Sequence, residues 1–151
     1  MNCIQKFLSV SFLFLLALTA CKKEEPQIPI CELTPTVEER VFEFLHTTTG
    51  ETFLAWTSDA NTIQQVEAQL ALPQDQRGQH INGVILRLPE DCNINQKWSW
   101  YFEPSSWVLS DISIELCDGN PQYLEENLEE YVSNVGRYCP WGSIVLRAVE
   151  L

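Results

Sequence analysis

Between residues 41 and 149 the chain is a series of short apolar–polar alternations set between turn-forming clusters, interrupted by two stretches at helical spacing. The strongest alternation sets Trp98, Trp100 and Phe102 against Ser99, Tyr101 and Glu103. On an extended strand this sends the large rings to one side. Ile112, Ile114 and Leu116 repeat the pattern against Ser113, Glu115 and Cys117. The two runs predict the central strands of the core. Residues 41–46 and 52–57, apolar and β-branched on either side of Thr47-Thr48-Thr49-Gly50, predict a hairpin. Residues 84–88 predict a further strand, ending at Pro89-Glu90-Asp91, and residues 143–149 predict the last one. Asp59 is placed to accept from the free amides of a helix starting at Ala60. Ile63, Val66 and Leu70 form that helix's apolar stripe, and Pro73 stops it. A second helix opens at Asn120-Pro121, where proline's missing amide would be unpaired in any case. It buries Leu124, Leu128, Tyr131, Val132 and Val135 and stops at Gly136. The order β-β-α-β-β-β-α-β predicts a single α+β domain, a mixed or antiparallel sheet with two helices packed on one face.

The N-terminus follows a different pattern. Lys6 precedes a nearly unbroken apolar run of 12 residues, 7–18. A bilayer-spanning helix needs roughly 20 apolar residues, so the run reads as the core of a signal peptide, residues 1–20. Leu18-Thr19-Ala20-Cys21 resembles the lipobox of bacterial lipoproteins. The resemblance implies cleavage before Cys21 and attachment of lipid, palmitate included, at that cysteine. More than one acyl chain gives stable anchoring where a single chain is marginal. Lys22-Lys23-Glu24-Glu25 resembles the export tag of surface lipoproteins of the Bacteroidetes, and equally fits a plain solvated linker. With Pro26, Pro29 and Pro35 following, residues 21–36 read as a lipidated cysteine and tether, and residues 37–151 as the folded domain. The expected location is the cell envelope, at the outer membrane, and at the cell surface where the export tag acts.

Charge narrows the partners. The chain carries a formal charge of −12, and loss of Lys6 with the signal peptide makes it −13. Nucleic-acid binding draws on basic residues that displace phosphate counterions, and this balance has the wrong sign for it. Six cysteines are present. Cys3 leaves with the signal and Cys21 takes lipid, so Cys31, Cys92, Cys117 and Cys139 remain. An even remainder in an exported chain predicts two disulfides, with three possible connectivities. Cys117–Cys139 is favoured because the two flank the second helix, and Cys31–Cys92 because it pins the tether to a loop. Their wide spacing lacks the close pairs of a zinc site.

Trp98-Ser99-Trp100-Tyr101-Phe102-Glu103-Pro104, Ile114-Glu115-Leu116-Cys117-Asp118-Gly119 and Cys139-Pro140-Trp141-Gly142-Ser143 together resemble a small family related to cAMP-inducible prespore proteins. Its bacterial members are exported domains sometimes labelled calmodulin-binding. The resemblance extends over residues 41–149 and implies a disulfide-stapled domain rather than a particular activity. The chain departs from the family pattern at Tyr101, where the family has histidine, and at Glu103, where it has aspartate.

Candidate chemistry is sparse. His46 and His80 are the two histidines, and neither accompanies a nucleophile motif such as G-x-S-x-G. Glu103, Glu115 and Asp118 are candidates for a carboxylate pair or a calcium site, although Asp118-Gly119-Asn120 lacks the spaced ligands of an EF-hand loop and fits a turn and helix cap. No metal or cofactor is expected. Among the aromatics, Trp98, Trp100 and Trp141 are expected to pack against core and disulfide. Tyr101, on the opposite face, and Trp107 are candidates for contact with a ligand such as a glycan. The favoured reading is a lipid-anchored binding or interaction module. The alternatives are a hydrolase using Glu103 and Glu115, and an acidic inhibitor or immunity-type protein meeting a basic partner. For that last role Glu125, Glu126, Glu129 and Glu130 offer an acidic helix face.

Overall fold

The computed structural model describes residues 31–150 apart from Glu32 and Asp91, so the signal peptide, Cys21 and most of the tether lie outside the described residues. Strands β1 (Arg40–His46) and β2 (Thr52–Thr57) form the expected hairpin, Phe42 facing Ala55 and Phe44 facing Phe53. Helix α1 (Ala60–Leu70) follows, capped by the Asp59 carboxylate, which accepts from Thr62 N–H. Then come β3 (His80–Arg87), β4 (Trp100–Phe102) and β5 (Val108–Ser110). The second helical region is broken at Asn127 into α2 (Pro121–Glu126) and α3 (Leu128–Glu130), and continues as a wider π turn, Tyr131–Val135. Gly136 ends it with φ 72°, a left-handed conformation that glycine adopts without steric cost. A two-residue strand that the sequence pattern does not predict, β6 (Arg137–Tyr138), precedes β7 (Ser143–Val149).

The single expected sheet is instead two antiparallel ones. The first has the order β2-β1-β7. In the second, β3 pairs with β4, β5 and β6. Their facing sides supply most of the core: Phe53 lies 5.5 Å from Trp100 and 5.9 Å from Phe102, and Phe44 meets Trp107 edge-on at 5.9 Å. Trp100, Trp107, Phe42, Phe44, Phe53, Phe102 and Tyr138 are all fully buried. Each such ring contributes roughly 1.5–3 kcal/mol relative to an exposed one. Asn95 ties the sheets together through the backbone, its side chain accepting from Leu54 N–H and donating to Trp100 C=O, both at 2.7 Å. α1 lies against β5 and β7, and Leu124, Leu128 and Tyr131 close the core from the other helical region.

The fifth strand is displaced from its expected place. Residues 112–116 form no ladder; β5 is Val108–Ser110, which pairs with His80–Asn82, and Ile112, Ile114 and Leu116 point to solvent. The two disulfides are Cys31–Cys92 and Cys117–Cys139, the favoured pairing. Among the described residues, no helix is long and apolar enough to cross a membrane.

Candidate functional site

The sequence candidates scatter when placed in the fold. Tyr101 does point away from Trp100 and Phe102, but a second core cluster covers it: its ring stacks on Trp56 at 5.5 Å beside Val41 and Leu88. Burial, with Glu103 nearby, raises its phenol pKa. Trp107 is fully buried, its indole N–H donating to Trp56 C=O at 2.8 Å. Neither ring is presented to a ligand. Glu103 lines an open cleft of about 590 Å³ with Glu39 and Asp59, and Glu115 is not among the lining residues. That cleft therefore does not bring Glu103 and Glu115 together as the pair that carboxylate hydrolysis needs. Among the described residues no group of three or more His, Cys, Asp or Glu is placed to hold a metal ion.

A larger cleft, about 680 Å³, lies beside the Cys31–Cys92 disulfide and includes Arg87, Lys97 and Trp98 in its walls. Its two cations are already engaged. Arg87 pairs with Glu129 at 3.0 Å, and Lys97 sits 4.2 Å over the Trp98 ring and 3.5 Å from Glu51. The expected acidic helix face is also partly taken up. Glu125 is half-buried and accepts from both the N–H and the hydroxyl of Ser99, leaving Glu126, Glu129 and Glu130 outside.

The region that does gather exposed, chemically distinctive side chains is the segment after β5. Its conformation is built by a clamp beneath it. Ser113 turns inward, its hydroxyl oxygen 2.7 Å from His80 Nε2 and 2.8 Å from the donating Asn82 amide. Burial lowers the His80 pKa, against the opposing pull of Asp118 and Asp111, so the ring is neutral and Nε2 can accept the Ser113 proton. With Ser113 turned in, the alternation of an extended backbone turns Ile112 and Ile114 out. Their exposures are 85 % and 67 %, and Leu116 follows at 68 %. Cys117 ends the segment by bonding to Cys139, and Cys139 N–H donates to Cys117 C=O at 2.8 Å.

That staple brings in a second loop. After Cys139 and Pro140 the backbone N–H of Trp141 donates to the Asp118 carboxylate at 2.8 Å. The contact holds the turn in place and leaves the Trp141 ring 47 % exposed, contrary to its expected packing on the disulfide. Gly142 is needed for its size: a Cβ there would lie 2.8 Å from His46 Nε2. His46 is itself buried, its Nδ1 3.0 Å from the Thr49 hydroxyl, which donates to Glu51 at 2.8 Å. Tyr131 donates to Asp118 C=O at 2.5 Å and Tyr138 to Gly119 C=O at 3.1 Å, fixing the turn between the two loops. Burial, with Tyr123 and Asp118 nearby, pushes the Tyr131 phenol up to about 12, so it stays a donor at neutral pH. The result is a ridge of exposed apolar side chains, Ile112, Ile114 and Leu116 on one loop and Trp141 on the loop joined to it by the Cys117–Cys139 bond, with the exposed carboxylates of Asp111 and Glu115 in the first loop. Asp118 is thus a structural bracket and Glu115 a rim charge. The Ser113, His80 and Asn82 clamp has no short sequence signature, because the serine is 33 residues from the histidine.

Two packed antiparallel sheets, closed by helices and stapled by two disulfides, define an α+β domain whose distinctive surface is a loop rather than a cleft. Residues 38–151 match the family model of the BP-74 N-terminal domain, and the chain belongs to that family. This is consistent with the prespore-protein-related resemblance of its tryptophan- and cysteine-containing motifs. No curated protein and no solved structure matches the chain.

Proposed function

We propose that the protein is a binding module of the bacterial cell envelope, held by lipid at Cys21 to the outer membrane and presented at the cell surface, with the stapled ridge as its binding face. The ridge carries this reading. Exposed aliphatic residues scattered singly are ordinary, but several gathered on one short stapled segment point to an interaction site. Here the fold uses a disulfide, a buried histidine clamp and a size-restricted glycine to hold such a patch outside the core. The apolar run before Cys21 and the lipobox-like Leu18-Thr19-Ala20-Cys21 support the anchor.

Two measurements test the two halves. Cells labelled with palmitate should incorporate label into the protein, and Cys21→Ala should lose it, since the thioether has no other sulfur at the cleavage site. Label retained by the mutant removes the anchor. For the binding face, Cys21→Ala chain immobilised against an envelope extract should retain a partner that the added Ile112→Ser/Ile114→Ser/Leu116→Ser substitutions release. Equal capture by both chains removes the ridge as the binding face.

A further inference from the structure

Resting on the reading of the ridge as a binding face, we infer that its partner is a basic, amphipathic polypeptide segment whose apolar side covers Ile112, Ile114, Leu116 and Trp141. Charge complementarity selects this occupant. The chain carries a formal charge of −12, and Arg137, beside the clamp, already donates to the Asn82 side chain at 3.0 Å. Asp111 and Glu115 are exposed in the ridge segment itself, and Asp118 is half-buried at the base of the Trp141 turn. An apolar strip between carboxylates suits a partner that offers leucine-like side chains with lysine or arginine beside them. The apolar contact supplies affinity, and the charges supply orientation and rate of encounter.

The same charges disfavour a lipid surface, since membranes with anionic lipids repel carboxylates at the point of contact. The placement of the ridge agrees. Ser113 rests on His80 at the start of β3, whereas the Cys31–Cys92 staple, where the tether enters the domain, lies past the strand's other end at Arg87. Eight residues of strand separate the two by about 23 Å at roughly 3.3 Å per residue. The ridge thus lies at the opposite end of β3 from the staple at which the tether enters the domain.

The test uses the otherwise complete Cys21→Ala chain and a fluorescently labelled amphipathic helical peptide of leucine and lysine, with a leucine–glutamate peptide of the same pattern as control. Fluorescence anisotropy should show binding of the lysine peptide that weakens as salt rises and no binding of the glutamate peptide. Ile112→Ser/Ile114→Ser/Leu116→Ser should weaken it at least about tenfold. Should that variant fold poorly, Asp111→Asn/Glu115→Gln, which leaves the apolar side chains in place, should weaken the lysine peptide severalfold at low salt. Equal binding of the two peptides overturns the inference, as does lysine-peptide binding that neither variant changes. Preferential binding to zwitterionic phosphatidylcholine vesicles, or self-association through the ridge by sedimentation, also overturns it. If the ridge variant releases an envelope partner but the lysine peptide never binds, the partner class is wrong and the binding face stands. If neither envelope partner nor peptide responds to the ridge, both readings fall.

Discussion

Residues 98–102 and residues 112–116 carry the same alternation of apolar and polar side chains and meet opposite fates. Trp98, Trp100 and Phe102 are buried between two sheets, whereas Ile112, Ile114 and Leu116 are exposed. Backbone pairing separates them. Trp100–Phe102 finds a ladder along Ile85, Leu86 and Arg87, which anchors its rings over Phe53. At the other end of β3, Val108–Ser110 takes the pairing with His80–Asn82, and Arg137–Tyr138 takes Gly83 and Val84. The later segment joins no ladder and is held by side chains instead, through Ser113 and the Cys117–Cys139 bond. Period-two patterning thus reports that alternate residues share a face, but not whether that face meets a core or a partner.

The contrast should be plainest in stability. Trp100→Ala or Phe53→Ala should cost about 3–5 kcal/mol by leaving a cavity in a close-packed core. Ile114→Ser, with the same patterning but an exposed side chain, should stay within about 0.5 kcal/mol of wild type. Urea denaturation followed by far-UV circular dichroism measures both. Equal losses would mean that the exposed run is part of the core.

The disulfides sharpen the comparison next. By chain entropy, opening the 61-residue separation of Cys31–Cys92 should cost about 4 kcal/mol, and opening the 22-residue separation of Cys117–Cys139 about 3 kcal/mol. Only the second should loosen the ridge. Limited proteolysis of Cys117→Ser/Cys139→Ser is expected to cut near residues 111–118 before it touches residues 98–102. Unchanged protection there would show that the Ser113 clamp suffices alone.

A smaller effect belongs to the join between ridge and helix. The Asn120 side chain accepts from Tyr123 N–H at 2.8 Å and caps α2. Asn120→Ala should cost about 1 kcal/mol. Thermal unfolding detects it, and a negligible change would leave the cap without energetic weight.

The smallest effect is a pH dependence of the clamp. Burial holds the pKa values of His80 and His46 below the ordinary 6.5, against nearby carboxylates, so both rings are neutral in the fold. Below pH 6.5 the unfolded chain binds more imidazole protons than the folded one. Stability therefore falls as pH drops from about 6.5 towards the lowered folded values, and is regained as pH rises. His80→Gln should make the fall shallower in a urea-midpoint series across that window. An identical slope would assign the effect to His46.

Much of this was legible in the chain itself. The β1–β2 hairpin, the Asp59 and Asn120 caps, the Gly136 stop and the pairing of four cysteines depend on local geometry or simple parity, which sequence encodes directly. The acidic balance and the lipobox-like Cys21 context belong to the sequence as well. Tertiary structure alone decided which alternating run became core. It also divided the strands between two sheets, and it covered Tyr101 with Trp56 while leaving Trp141 outside. The reason is physical. A strand's pattern sets the direction of its side chains, but burial depends on which other segments reach that face. Residues 112–116 joined none of the ladders of β3, and a disulfide and a Ser–His–Asn clamp fixed their apolar side chains towards solvent.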